Sequence, residues 1–156
     1  MRPVMPEDHD FMLSLYDSTR DDLDIAGLDP IQRQQLVRMQ FMAKAAQYRQ
    51  TYPKAEDNVV MSETRPVGRM MVNRADREIT LVDVALLPEY RNLGIGTKLV
   101  RALTDEASRL GKIVRLRVLE GNAAIRVYER LGFARTNDDG TYLEMKWTGG
   151  TGVKLI

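Results

Sequence analysis

The chemistry of this chain concentrates in Arg91-Asn92-Leu93-Gly94-Ile95-Gly96-Thr97. Glycine on either side of Ile95 lets a ligand approach the backbone with no Cβ in the way. The residues that follow, Leu99, Val100, Leu103, Ala107 and Leu110, recur at helical spacing up to Gly111, a left-handed stop. The free N–H groups that open such a helix point into the glycine turn and favour an anion there. Arg91 adds a fixed positive charge beside it. The stretch therefore reads as a cradle for a phosphate or diphosphate, and its spelling excludes two common ones. A P-loop needs Gly-Lys-Ser/Thr after an upstream glycine, whereas here the order is Gly96-Thr97-Lys98. A dinucleotide fingerprint needs a third glycine where Leu99 stands.

The elements that position this turn follow from the residues around it. Before it, Leu81, Val82 and Val84 to Leu87 form an apolar run of strand length closed by Pro88. Regular alternation places Glu78, Thr80, Val82 and Val84 on one face of that strand and Ile79, Leu81 and Asp83 on the other. Asp83 is a carboxylate within an apolar run: either a base, or a structural acid tying the sheet to a helix. Upstream, 58–62, 66–73 and 78–87 read as three strands of an antiparallel meander, joined by polar connections. Downstream, 113–119 alternates as a strand, with Val114, Leu116 and Val118 on one face. A helix joins it to the apolar strand, so the two are expected to be parallel with a right-handed crossover. Asn122 caps a last helix ending at Gly132, and 133–136 with 141–147 form a hairpin around Asp139-Gly140.

The N-terminal third predicts a short edge strand over 1–5 and two helices. The first runs from Glu7 to about Leu23. Asp21, Asp22 and Asp24 then fall at an end where the helix dipole prefers cations. They are either paired with Arg20, Arg33 or Arg38, or solvated, or a collar that attracts a cationic amine. The second helix starts at Asp29-Pro30 and ends at Pro53, with Val37, Phe41, Ala45, Tyr48 and Tyr52 on its buried stripe. Met39 and Met42 beside that stripe read as core filler or a pliable pocket wall.

Composition narrows the chemistry further. At 156 residues, 44% hydrophobic and 29% charged, the chain is expected to fold as one soluble domain over 1–148, with a loose tail over 149–156. A net charge of +1 gives no electrostatic reason to expect nucleic acid or a membrane as partner. With no cysteine and only His9, neither a thiolate nucleophile nor a histidine-based zinc site or triad is expected. No leader and no membrane-length apolar run is read, which leaves the cytoplasm as the default expectation.

Two segments carry a family resemblance. Arg91 to Gly96 fits the R/Q-x-x-G-x-G/A signature of the GCN5-related N-acetyltransferases (GNAT), and Leu87-Pro88-Glu89-Tyr90 before it is similar too. Asn122-Ala123-Ala124-Ile125-Arg126-Val127-Tyr128-Glu129-Arg130-Leu131-Gly132-Phe133 resembles the run near the C-terminus of the same enzymes. One departure is that Asn122 stands six residues before Tyr128, where many relatives place it seven before. The resemblance extends in layout to at least Trp147. It implies an α/β (α+β) acyl-CoA N-acyltransferase fold: one mixed, mostly antiparallel sheet of six or seven strands with a splayed parallel pair at its centre and about four helices.

The resemblance also implies a reaction. Acetyl-CoA would be the co-substrate, its diphosphate on residues Arg91, Asn92, Leu93, Gly94, Ile95, Gly96 and Thr97, with Asn122 a further contact. Its pantetheine arm would pair with backbone of Ala85 and Leu86, freed where the parallel strands splay. Tyr128 matches the family's acid and would protonate the leaving thiolate; the plain alternative is a core aromatic. For the base, the resemblance favours Glu78 acting through water over Asp83, with a solvent relay also open. The acceptor would be an amine-bearing small molecule or peptide, and relatives with this topology often form homodimers. The rival from another class is a non-catalytic acyl-CoA-binding or regulatory module with the same fold.

Overall fold

The computed structural model describes residues 1–149. Its strands are β1 (Arg2–Pro3), β2 (Glu56–Ser62), β3 (Arg65–Arg74), β4 (Glu78–Leu86), β5 (Ile113–Leu119), β6 (Ala134–Asp138) and β7 (Tyr142–Trp147). Its helices are α1 (His9–Asp17), α2 (Pro30–Thr51), α3 (Ile95–Leu110) and α4 (Ala124–Arg130). The hydrogen-bonded strand order is β1-β2-β3-β4-β5-β7-β6. The parallel pair expected between β4 and β5 is present, in register from Glu78↔Ile113 to Leu81↔Leu116. Beyond Leu81, β4 continues to Leu86 outside this parallel register, while β5 stays paired with β7 as far as Leu119↔Tyr142. The expected tail lies, from position 150, outside the described residues.

The chain divides into two compact units. One comprises Met1–Met71 with Asp83–Arg91; the other comprises Val72–Val82 and the chain from Asn92 onward. In the first, Met12 and Leu15 of α1 and Val37 of α2 are buried, as are Val59, Val67 and Met70 of the strands. In the second, Val100, Leu103 and Ala107 line the buried face of α3, and Val114, Leu116 and Met145 are buried on β5 and β7. These are the apolar positions that helical and strand periods pick out.

Three local devices fix the elements. Asp29 accepts a hydrogen bond from the Gln32 amide at 2.8 Å while the Gln32 side chain accepts from the Asp29 amide, a capping box that starts α2. Gly111 takes φ +67° and stops α3. Gly68 on β3 faces Ala85 so closely that a Cβ there would lie 2.4 Å from the Ala85 carbonyl oxygen.

The first helix is shorter than expected. Ser18 and Thr19 turn their hydroxyls back onto the carbonyls of Leu15 (2.6 Å) and Tyr16 (2.7 Å). The chain then leaves the α-helix and re-enters a separate 3-10 turn over Asp21–Asp24. The acids are therefore not at a helix end that repels them. Asp22 takes a two-bond fork from Arg20, both bonds 3.0 Å, and Arg33 bridges Asp17 and Asp24. On α2 only Val37 of the expected stripe is fully buried, and Met39 (62% exposed) and Met42 (57%) are surface residues rather than core.

The close approach at Gly68 has a measurable consequence. Gly68→Ala forces the β3 and β4 backbones apart and should cost about 1–3 kcal/mol of stability in urea unfolding. An unchanged unfolding midpoint would show that the approach is not required.

Candidate functional site

In the second unit, the turn expected to form the cradle has an unusual backbone conformation. Asn92 adopts φ +60° and Gly94 φ +86°, two left-handed residues within three positions. Gly94 is the N-cap of α3 and has no side chain to cap it; its carbonyl accepts from the Lys98 amide at 3.0 Å. The amides of Ile95, Gly96 and Thr97 occupy the first turn, where no carbonyl of the same helix can reach them. Nothing lies within 4 Å of where a Gly94 Cβ would be, so glycine is required there by φ rather than by crowding. Gly96 sits within the first helical turn, between Ile95 and Thr97. Leu93 is 65% exposed at the tip. Among the described residues no group of three or more His, Cys, Asp or Glu could hold a metal ion.

Tyr128 lies on the buried face of α4, 7% exposed, with its ring tilted against Phe133 at 5.7 Å. Asn122 accepts from the Ala124 amide at 2.8 Å, so its side-chain oxygen is engaged in starting α4. Glu78 opens β4 beside Arg115 of β5, Oε2 to Nε 3.1 Å. Both atoms are buried, and neither has a well-formed hydrogen bond.

In the first unit, the end of β4 carries Asp83, Ala85, Leu86 and Arg91. The Leu87 amide donates to the Val67 carbonyl at 2.8 Å and the Ala85 carbonyl lies against Gly68, so Ala85 and Leu87 direct their backbone groups toward β3. Leu86, one position out of phase, directs its groups away from β3. Its carbonyl accepts from Arg91 Nε at 2.9 Å, and Arg91 also reaches the Ser18 carbonyl and hydroxyl at 3.3 Å. Arg91 is a brace between the end of β4 and the end of α1 before it is a charge for a phosphate. Of the backbone groups expected to be free at Ala85 and Leu86, the Leu86 amide is the one that points away from β3.

Asp83 sits among cations and aromatics. Its Oδ2 accepts from the Tyr48 hydroxyl at 3.3 Å, with Arg69 at 3.7 Å and Lys44 at 4.0 Å. These contacts match a tie between strand and helix. Arg69 was not singled out from the sequence; its fork onto Asp57, at 2.8 Å for both bonds, joins β3 to β2 and had no local signature.

Comparison with known proteins agrees with this geometry. The sequence profile of the Acetyltransferase (GNAT) family matches residues 15–133. Thialysine N-epsilon-acetyltransferase of Mus musculus is 32% identical over 75 residues, covering 47% of this chain and 44% of that protein. The match thus spans less than half the length of that relative. Among solved structures, PaiA N-acetyltransferase from Thermoplasma acidophilum in complex with coenzyme A superposes with a TM-score of 0.70 at 16% identity, covering 94% of this chain and 96% of that one. Ribosomal-protein-S18-alanine N-acetyltransferase from Escherichia coli has a TM-score of 0.54 at 25% identity, over 66% of this chain and 75% of that one.

The brace makes a prediction about the free protein. Arg91→Gln should lower stability by about 1–3 kcal/mol without any ligand, because hydrogen bonds from a charged donor are lost. If urea unfolding is unchanged, Arg91 serves only a ligand.

Proposed function

This chain belongs to the GNAT acetyltransferase family, and from that premise we propose that it is an acetyl-CoA-dependent N-acetyltransferase acting directly on a primary amine. The observation that carries the reading is the uncapped start of α3: a glycine N-cap with positive φ, no capping side chain, and a second glycine, Gly96, in the first turn. A diphosphate suits that donor set, since three converging amides and the helix dipole favour a compact anion. Asn92 and Leu93 shape the approach, and Thr97 adds its amide to the set. The exposed Asn122 provides a polar edge near α4.

Acetyl-CoA, when bound, supplies an activated acetyl thioester. The residues of this chain then have three tasks. The Leu86 amide pairs with the pantetheine arm as a strand neighbour would. Glu78 receives the proton lost by the acceptor nitrogen, through water. Nitrogen attack forms the C–N bond, and the C–S bond breaks as the tetrahedral centre collapses. Tyr128 donates its phenolic proton to the departing thiolate, and its burial against Phe133 limits exchange of that proton with bulk water.

Acetyl-CoA with a panel of primary amines, followed by thiol release, tests this. At least one amine should be turned over, and Tyr128→Phe should lower kcat about 10²–10⁴-fold while CoA still binds. Full turnover by Tyr128→Phe would remove the phenol from the mechanism. CoA binding without turnover of any amine would instead favour a non-catalytic acyl-CoA-binding role.

A further inference from the structure

The first unit contains a cation cage that acyl transfer itself does not use. Lys44 holds its Nζ 5.5 Å from the centre of the Tyr16 ring and 5.6 Å from that of Tyr48. The same nitrogen is 4.0 Å from Asp83 Oδ2. Two aromatic faces and a carboxylate are the set that selects an alkylammonium ion. Two arginines border the cage, each with its fork on another acid. Arg20 lies 5.6 Å over Tyr16 and donates to its hydroxyl at 2.7 Å, while its fork is on Asp22. Arg69 lies 5.8 Å over Tyr48 and 3.7 Å from Asp83, while its fork is on Asp57.

Asp83 is held by long contacts. Its ion pairs with Arg69 at 3.7 Å and Lys44 at 4.0 Å lie beyond hydrogen-bond distance, and the hydrogen bond from Tyr48 is 3.3 Å long. Its side chain is only 22% exposed, so little water compensates. Lys44, by contrast, is 42% exposed on a flexible stem and can withdraw to solvent.

We propose that Tyr16, Tyr48 and Asp83 form a subsite for an alkylammonium group of the acceptor, and that Lys44 fills it in the free protein as an internal stand-in. This rests on the acetyltransferase reading for its meaning, and it narrows the acceptor class. A nitrogen that attacks a thioester must be neutral, whereas a nitrogen held by a carboxylate and two π faces is held as a cation. The cage therefore takes the ammonium that does not react, and the acceptor is an aliphatic amine bearing a second, charged amine. Asp83 and Ala85 share one face of β4, about 7 Å apart along the strand, next to the Leu86 amide assigned to the pantetheine arm.

Calorimetric titration of the full chain with 1,4-diaminobutane, and with 1-butanol as the uncharged control, tests the cage without requiring turnover. Lys44→Met should bind the diamine about ten-fold more tightly than the unsubstituted protein, with 1-butanol affinity little changed. Adding Asp83→Asn to Lys44→Met should abolish that gain. Equal diamine affinity in all three proteins, or a gain that survives Asp83→Asn, would overturn the proposal. Thermal melts of each variant verify folding, and Tyr16→Leu supplies an independent loss of one cage wall if Asp83→Asn does not fold. A parallel CoA titration keeps the two readings apart: absence of CoA binding sinks the acetyltransferase reading, while the diamine arms still decide whether the cage exists.

Discussion

The start of α3 has to leave its first amides open, and the backbone before it is shaped to do so. Asn92 and Gly94 turn the chain through the left-handed region, φ +60° and +86°, and deliver it into the helix with no side chain at the N-cap. The contrast with α2 in the same chain is direct. There, Asp29 and Gln32 satisfy the orphan amides reciprocally and close the helix end to any ligand. A helix that keeps its own cap is structural; one that forgoes it pays in stability unless something else satisfies those donors. The proposed cofactor site rests on that open terminus.

Charge is spent mostly on bracing in this protein. Arg91, adjacent to the open turn, reaches back to Leu86 and Ser18 and so fixes the chain entering the turn. Arg69, Arg20 and Arg33 each fork or bridge carboxylates within the first unit. Exposed pairs of this kind contribute little each, but the Arg69 pair is largely buried and orders two strands. Of the acids that follow α1, Asp22 is forked by Arg20 and Asp24 is paired with Arg33.

Much of this was legible in the sequence because the signals are local. The Asp29-Pro30 start, the Gly111 stop, the alternation over Ile113–Leu119 and the parallel pairing of β4 with β5 all appear as expected. The end of α1 did not, since apolar residues continue to Leu23 while the hydroxyls of Ser18 and Thr19 compete for the helix carbonyls. Nor did the role of Arg91, whose partner Ser18 is 73 residues away. A motif fixes the turn's conformation; it does not say which way a long side chain beside it will point. The half-buried stripe of α2 was over-read for the same reason, because periodicity marks a face but not how deeply its neighbours cover it.

The central claim is that backbone amides at the start of α3 take an anionic group of the cofactor, and amide NMR during a coenzyme A titration tests it most directly. The account predicts saturable shifts that are largest at Ile95, Gly96 and Thr97. Largest shifts at another helix start, or no saturable shift at these three amides, would contradict it.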